Sequence, residues 1–92
     1  MDARHLSQRL ATVAAFVPDN ARLADIGSDH AYLPANLLLT GRISYAVAGE
    51  VVSGPYHNMV REIKRYGLEG RLIPRLANGC MAIKPSDRID TV

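Results

Sequence analysis

The segment "ADIGSDHAYLP", Ala24–Pro34, runs an apolar strand into a glycine turn and then into the start of a helix. The lead-in "RLADIG" (22–27) reads as a short buried strand ending at Gly27. An apolar strand that breaks into a glycine turn before a helix is the opening of a nucleotide-binding βαβ unit. The second and third glycines of a phosphate-binding loop are missing here, and Asp29 and His30 stand among their replacements.

That substitution bears on the ligand. A dinucleotide brings a pyrophosphate that needs bare backbone amides and a positive helix start, and Asp29 would put negative charge into that space. S-adenosylmethionine carries no phosphate, and its ammonium and sulfonium groups are both positive. Asp25 and Asp29 suit those groups, so the acidic loop favours S-adenosylmethionine over NAD. An aspartate that stabilises its own turn through side-chain hydrogen bonds is compatible with either ligand.

Outward from the loop, strands and helices alternate. Upstream, Leu6, Leu10, Val13, Ala14 and Val17 recur on one helical face, and "PDN" from Pro18 stops that leading helix within residues 1–20. Downstream, "YLPANLLLTG" (32–41) reads as a helix closed by Gly41, with Pro34 in its first turn. "ISYAVAGE" (43–50) is a buried strand. "GPYHNMVREIKRYG" (54–67) is a helix with Met59, Val60 and Ile63 on its apolar face and Arg61, Glu62, Lys64 and Arg65 facing water. "LIPRLA" (72–77) is a third strand, placed near an edge by Pro74. A loop leads to "RIDTV" (88–92), the start of a fourth.

This order predicts a parallel sheet with flanking helices, the first half of a doubly wound nucleotide-binding fold, with residues 21–92 as its ligand-binding half. Because the chain stops at Val92 inside an apolar strand, an N-terminal piece of a longer protein is expected.

In such sheets the ligand lies beyond the carboxyl ends of the strands, where strand order reverses. Gly27–Tyr32, Gly49–Ser53 and Ala77–Gly79 fall there. Glu50 ends the second strand roughly twenty residues past Gly27, where a carboxylate accepts two hydrogen bonds from an adenosine ribose; an exposed strand-end glutamate is the plainer reading.

Composition narrows the class further. Ninety-two residues make at most one small domain, 48% apolar, with a formal charge of +2 that does not by itself argue for nucleic acid. Charges throughout the first ten residues exclude a signal peptide and a membrane span. Cys80, the single cysteine, reads as a small buried hydrophobe, and no residues stand at metal-ligand spacing, so no metal is expected. A cytoplasmic enzyme fits these features; a secreted scaffold does not.

Taken together, "ADIGSDHAYLP", "AGEVVSGPY", "RLANG", "DRIDTV" and, near the start, "LSQRL" resemble the N-terminal half of the bacterial tRNA (adenine(22)-N(1))-methyltransferase family. The likeness covers nearly the whole chain. It implies a Rossmann-like class I methyltransferase fold, of which this is the N-terminal portion, and S-adenosylmethionine as cofactor. It implies that Asp25, Gly27, Ser28 and Asp29 hold the methionine end, that Glu50 takes the ribose, that Val51 lies against the adenine, and that Asn78 and Gly79 sit at the adenine edge. Many such enzymes carry aspartate at the position of Asn78 and leucine at that of Cys80; asparagine keeps a hydrogen-bonding carbonyl but loses the charge.

The implied partner is tRNA and the implied reaction is methyl transfer to adenine N1. In that reaction Asp29 is the candidate to orient the target base, His30 and Tyr32 to stack on or bond to it, and Arg4, His5 and Arg9 to meet phosphate. A glycine-rich turn expected directly after Val92 and a C-terminal helical extension are absent, so residues 1–92 alone are expected to be inactive. Two other classes compete: a nucleotide-binding half-domain without chemistry, and a fragment of an NAD-dependent oxidoreductase.

Overall fold

The computed structural model describes residues 3–27 and 30–92, the side chain of Cys80 excepted. Six regular elements follow one another: α1 (Gln8–Phe16), β1 (Arg22–Ile26), α2 (Tyr32–Leu39), β2 (Tyr45–Glu50), α3 (Ser53–Arg65) and β3 (Leu72–Leu76). Two 3₁₀ turns, Gly79–Ala82 and Pro85–Asp87, occupy the stretch read from sequence as a loop. No helix among the described residues is long and apolar enough to cross a membrane.

The three strands form one parallel sheet in the order β1-β2-β3. Leu23 pairs with Ala46, and Ala46 with Leu72, so these three side chains point to one face; Ala24, Val47 and Ile73 point to the other. The first face packs on the helices, where Leu23, Ala46, Ala48 and Leu72 join Leu37, Met59, Ile63 and Leu68 in the main core. Burying side chains of this size contributes about 1.5–3 kcal/mol each. The second face is covered by the chain after β3, which places the buried Ala82 against Gly49.

β3 is the edge, as Pro74 requires: its missing N–H costs nothing on the side away from β2. On the opposite side of β1, Leu23 makes a parallel bridge with Thr91, and the Ala24 N–H donates to the Thr91 carbonyl at 2.8 Å. The chain thus returns to the far flank of β1, making β1 the point where strand order reverses. The bridge is made at Thr91 alone, and Arg88, the first residue of the stretch expected as a strand, instead turns through the left-handed region (φ 53°).

Sequence chemistry explains the ends of the helices. The Ser7 hydroxyl accepts from the Leu10 N–H (3.3 Å) and caps α1. The other end of α1 is held by Arg42, whose guanidinium donates to the carbonyls of Ala14 and Val17 and pairs with Asp19. α2 is buried on nearly every side, through Leu33, Pro34, Ala35, Leu37 and Leu38. α3 carries Lys64 and Arg65 in its last turn, where they suit the helix dipole, and Gly67 (φ 68°) reverses the chain.

Candidate functional site

At the carboxyl ends of the strands lies a cavity of about 270 Å³. Ile26 and Gly27 close it from β1, Gly49, Glu50 and Val51 from β2, and Ala77, Asn78 and Gly79 from the end of β3. The strand ends are stitched together just below it: the Gly27 N–H donates to the Gly49 carbonyl (2.9 Å), and the Ala77 N–H to the Glu50 carbonyl (3.0 Å). Gly27 itself adopts φ 73°, a conformation open to glycine at little cost, and this turns the chain away from the strand.

Glu50 is buried at the cavity wall. Its Oε1 accepts from its neighbour's Val51 N–H at 3.0 Å and, more weakly, from Val52 N–H at 3.5 Å. The carboxylate is therefore oriented by its own strand end rather than swinging in solvent, which a plain strand-end glutamate would do. Val51 beside it is exposed and offers an apolar surface to the cavity.

Gly49, which opens the second of the strand-end segments expected at the ligand, also has a packing role that the sequence does not announce. A Cβ placed on it would stand 2.9 Å from the Ala82 Cβ and 3.2 Å from Ile26 Cδ1. Its bare backbone is what lets the Gly79–Ala82 turn close over β2. Gly49→Ala is expected to destabilise the protein by about 1–3 kcal/mol through overpacking, read as a lower urea midpoint. An unchanged midpoint would show that the turn yields freely.

Beneath this wall lies a polar cluster, also not anticipated. Asp87 is buried (2% exposed) and accepts from the Tyr45 hydroxyl (2.9 Å), the Lys84 N–H (2.7 Å) and both terminal nitrogens of Arg75, Nη2 at 2.8 Å. Arg75 Nη1 also donates to the Ala82 carbonyl at 2.9 Å. Arg22 lies over the Tyr45 ring, 4.2 Å from its centroid, and its Nε donates to the Asp87 carbonyl at 2.9 Å. The Arg75 guanidinium, helped by the Lys84 N–H and the Tyr45 hydroxyl, holds the Asp87 carboxyl well below the usual carboxylate range despite its burial. Burial and the bond to Asp87 push the Tyr45 hydroxyl up. Nothing in the sequence flags this pairing, because Asp87 lies twelve positions after Arg75 with no periodic pattern between them.

The residues expected to bind a ligand are thus only partly assembled in one place. Gly27, Glu50, Val51, Asn78 and Gly79 share the cavity. Asp25 is half-buried in β1, in register with Ala48, and is not part of the cavity wall. Ser28 and Asp29 lie outside the described residues. His30 and Tyr32, which follow them, stack with ring centroids 5.1 Å apart and 12° between planes. Arg4, His5 and Arg9 are exposed. The Arg4 guanidinium sits 5.7 Å from the ring centroid of Tyr66, just past the end of α3 that leads away from the cavity.

No group of three or more His, Cys, Asp or Glu side chains among the described residues is placed to hold a metal ion. A larger, open hollow of about 400 Å³ lies at Ile83, Lys84, Pro85, Arg88 and Ile89. It has neither a strand end nor a carboxylate, so the smaller cavity is the candidate site.

Known proteins share this fold. A Bacillus subtilis tRNA (adenine(22)-N(1))-methyltransferase is 41% identical over 87 residues, which are 95% of this chain and 37% of that protein. The crystal structure of a Streptococcus agalactiae protein of the NADB-Rossmann superfamily superimposes with a TM-score of 0.93 at 50% identity, covering 98% of this chain and 40% of that one. A Streptococcus pneumoniae protein, proposed to be a tRNA (m1A22) methyltransferase and solved in complex with S-adenosyl-L-methionine, gives a TM-score of 0.89 at 47% identity over 92% of this chain and 40% of its own. The chain therefore spans about 40% of the length of these relatives. The fold is Rossmann-like, with the N-terminal strands and helices of such a sheet present. Residues 6–92 match the family model described as a methyltransferase domain, and the chain belongs to that family.

Proposed function

We propose that the protein is an S-adenosylmethionine-dependent methyltransferase that modifies N1 of an adenine in tRNA, position 22 in the relatives' numbering of their substrate. The observation that carries this reading is the Glu50 carboxylate, oriented in the wall of a mostly apolar cavity at the strand ends. Similarity to a tRNA methyltransferase and to a protein that binds S-adenosyl-L-methionine supports it.

The cavity fits an adenine nucleoside. Ile26, Val51 and Ala77 offer apolar surface to a flat base, Glu50 offers an acceptor to ribose hydroxyls, and Asn78 offers an amide to the base edge. When bound, S-adenosylmethionine supplies an electrophilic methyl group. Adenine N1 carries an in-plane lone pair, so the acceptor needs no proton removed, and the protein's task is alignment. His30 and Tyr32, whose rings stack on each other, are assigned to meet a target base drawn out of its stack. Asp29 is assigned to orient that base, and Asp25, Gly27 and Ser28 to hold the methionine end. Arg4, His5 and Arg9 are assigned to tRNA phosphate.

The experiment is incubation of the full-length protein with labelled S-adenosylmethionine and unmodified tRNA, expected to give N1-methyladenosine. No incorporation, or incorporation at another base, would overturn the reading. Because residues 1–92 span about 40% of the relatives' length, we expect them to give none alone.

The role of Asp29 has its own test. Asp29→Asn keeps the side chain's size and a hydrogen-bonding carbonyl but removes its charge. It is expected to cost about 1–3 kcal/mol, seen in the full-length enzyme as weaker cofactor binding or slower single-turnover methyl transfer at an unchanged melting temperature. Unchanged affinity and rate would make Asp29 a turn residue only.

A further inference from the structure

We infer that Arg75 and Asp87 are positioning residues for the base end of the cofactor, acting through the Gly79–Ala82 turn; this rests on the cofactor reading above. Asn78 and Gly79 form the cavity wall, and Ala82, at the far end of the same short turn, is clamped on both sides. Above it, Gly49 admits the Ala82 methyl to a distance that any side chain would block. From the side, the Arg75 guanidinium takes the Ala82 carbonyl (2.9 Å) and, with its remaining hydrogens, both oxygens of Asp87.

The clamp has one degree of freedom left, the orientation of Asp87, and three further groups remove it. The Lys84 N–H closes the 84–87 turn on its carboxylate, the Tyr45 hydroxyl ties it to β2, and Arg22 Nε holds its carbonyl from β1. All three strands therefore hold Asp87, β2 and β3 at its carboxylate and β1 at its backbone carbonyl, and the Arg75 guanidinium held there fixes the turn that carries the wall. A planar fork bound to three acceptors is specific to arginine; lysine cannot reproduce it. Neither residue lines the cavity, so any effect on binding must pass through the turn.

The test is the affinity of the full-length protein for S-adenosylhomocysteine and for adenosine, measured at least 15 °C below each variant's melting temperature, where essentially all molecules are folded. Asp87→Asn and Arg75→Lys are each expected to weaken both ligands by the same factor, about five- to tenfold, because the ligands share the base end and differ at the other. In an Asn78→Ala background, where the wall has already lost its polar group, the same substitutions are expected to weaken binding less than twofold.

Lower melting temperatures with unchanged affinities would make the pair purely structural and overturn the inference. So would losses that multiply fully with Asn78→Ala. If Asp87→Asn fails to fold, Arg75→Lys decides by the same criteria, since it retains a cation beside Asp87. Wild-type protein that bound neither ligand would overturn the cofactor reading and this inference together, whereas normal wild-type binding with unaffected variants would overturn this inference alone.

Discussion

Asp87→Ala is expected to destabilise the protein by about 3–5 kcal/mol, the cost of stranding a buried charge by removing its partner. Arg75 is only 18% exposed and would lose two of its three acceptors, while the Tyr45 hydroxyl and the Lys84 N–H would each lose theirs. Chemical denaturation of both proteins at neutral pH measures the cost. A difference below about 1 kcal/mol, the range of exposed pairs, would show that water replaces the carboxylate freely.

The same pair fixes the direction of a pH dependence. Asp87 is held below its ordinary carboxylate range in the folded protein, so the unfolded chain takes up the proton first as pH falls. Its contribution is fully present above about pH 4, the ordinary value for an unfolded aspartate. It is lost progressively as pH drops below that towards the folded value. The gap in stability between wild type and Asp87→Asn is therefore expected to be constant from pH 7 to 5 and to narrow below pH 4. A gap that widened on acidification would contradict the assignment.

Glu50→Gln is expected to weaken S-adenosylhomocysteine binding by about 1–3 kcal/mol, which is roughly 5- to 150-fold in affinity. Glutamine is the informative substitution because its carbonyl still accepts from the Val51 N–H, which keeps the strand end in place. Only the second oxygen changes, from a charged acceptor to an amide donor that opposes a ribose hydroxyl's proton. Calorimetry at constant pH, with melting temperatures alongside, separates the two contributions. Equal affinities would reduce Glu50 to a cap on its own strand end.

Much of this fold was legible in the sequence for identifiable reasons. The strands stop where Gly27 and Glu50 stop being apolar, and Pro74 declares an edge because it lacks a donor. Glu50 was found by its spacing from Gly27, which follows from the length of a βαβ unit. Periodicity did less well in α1, where Val13 reads as part of the apolar stripe yet is 45% exposed. That helix buries Ala14, with Val17 buried just past its end, so its covered stripe is narrower than the pattern suggests. The 79–87 segment was opaque: its two 3₁₀ turns are stabilised by the distant side chains of Arg75 and Tyr45, and no local pattern encodes such partners. Gly49 was placed among the strand-end segments, but its packing role was hidden for the same reason, since the methyl group that excludes a side chain belongs to Ala82, far along the chain.

The cavity at the strand ends is expected to take the adenosyl group of S-adenosylmethionine and not a dinucleotide. Titration of the full-length protein with S-adenosylhomocysteine and, separately, with NADH tests it most directly. Saturable binding of S-adenosylhomocysteine, competed by adenosine, is expected, with no heat from NADH. Saturable NADH binding with S-adenosylhomocysteine silent would contradict it.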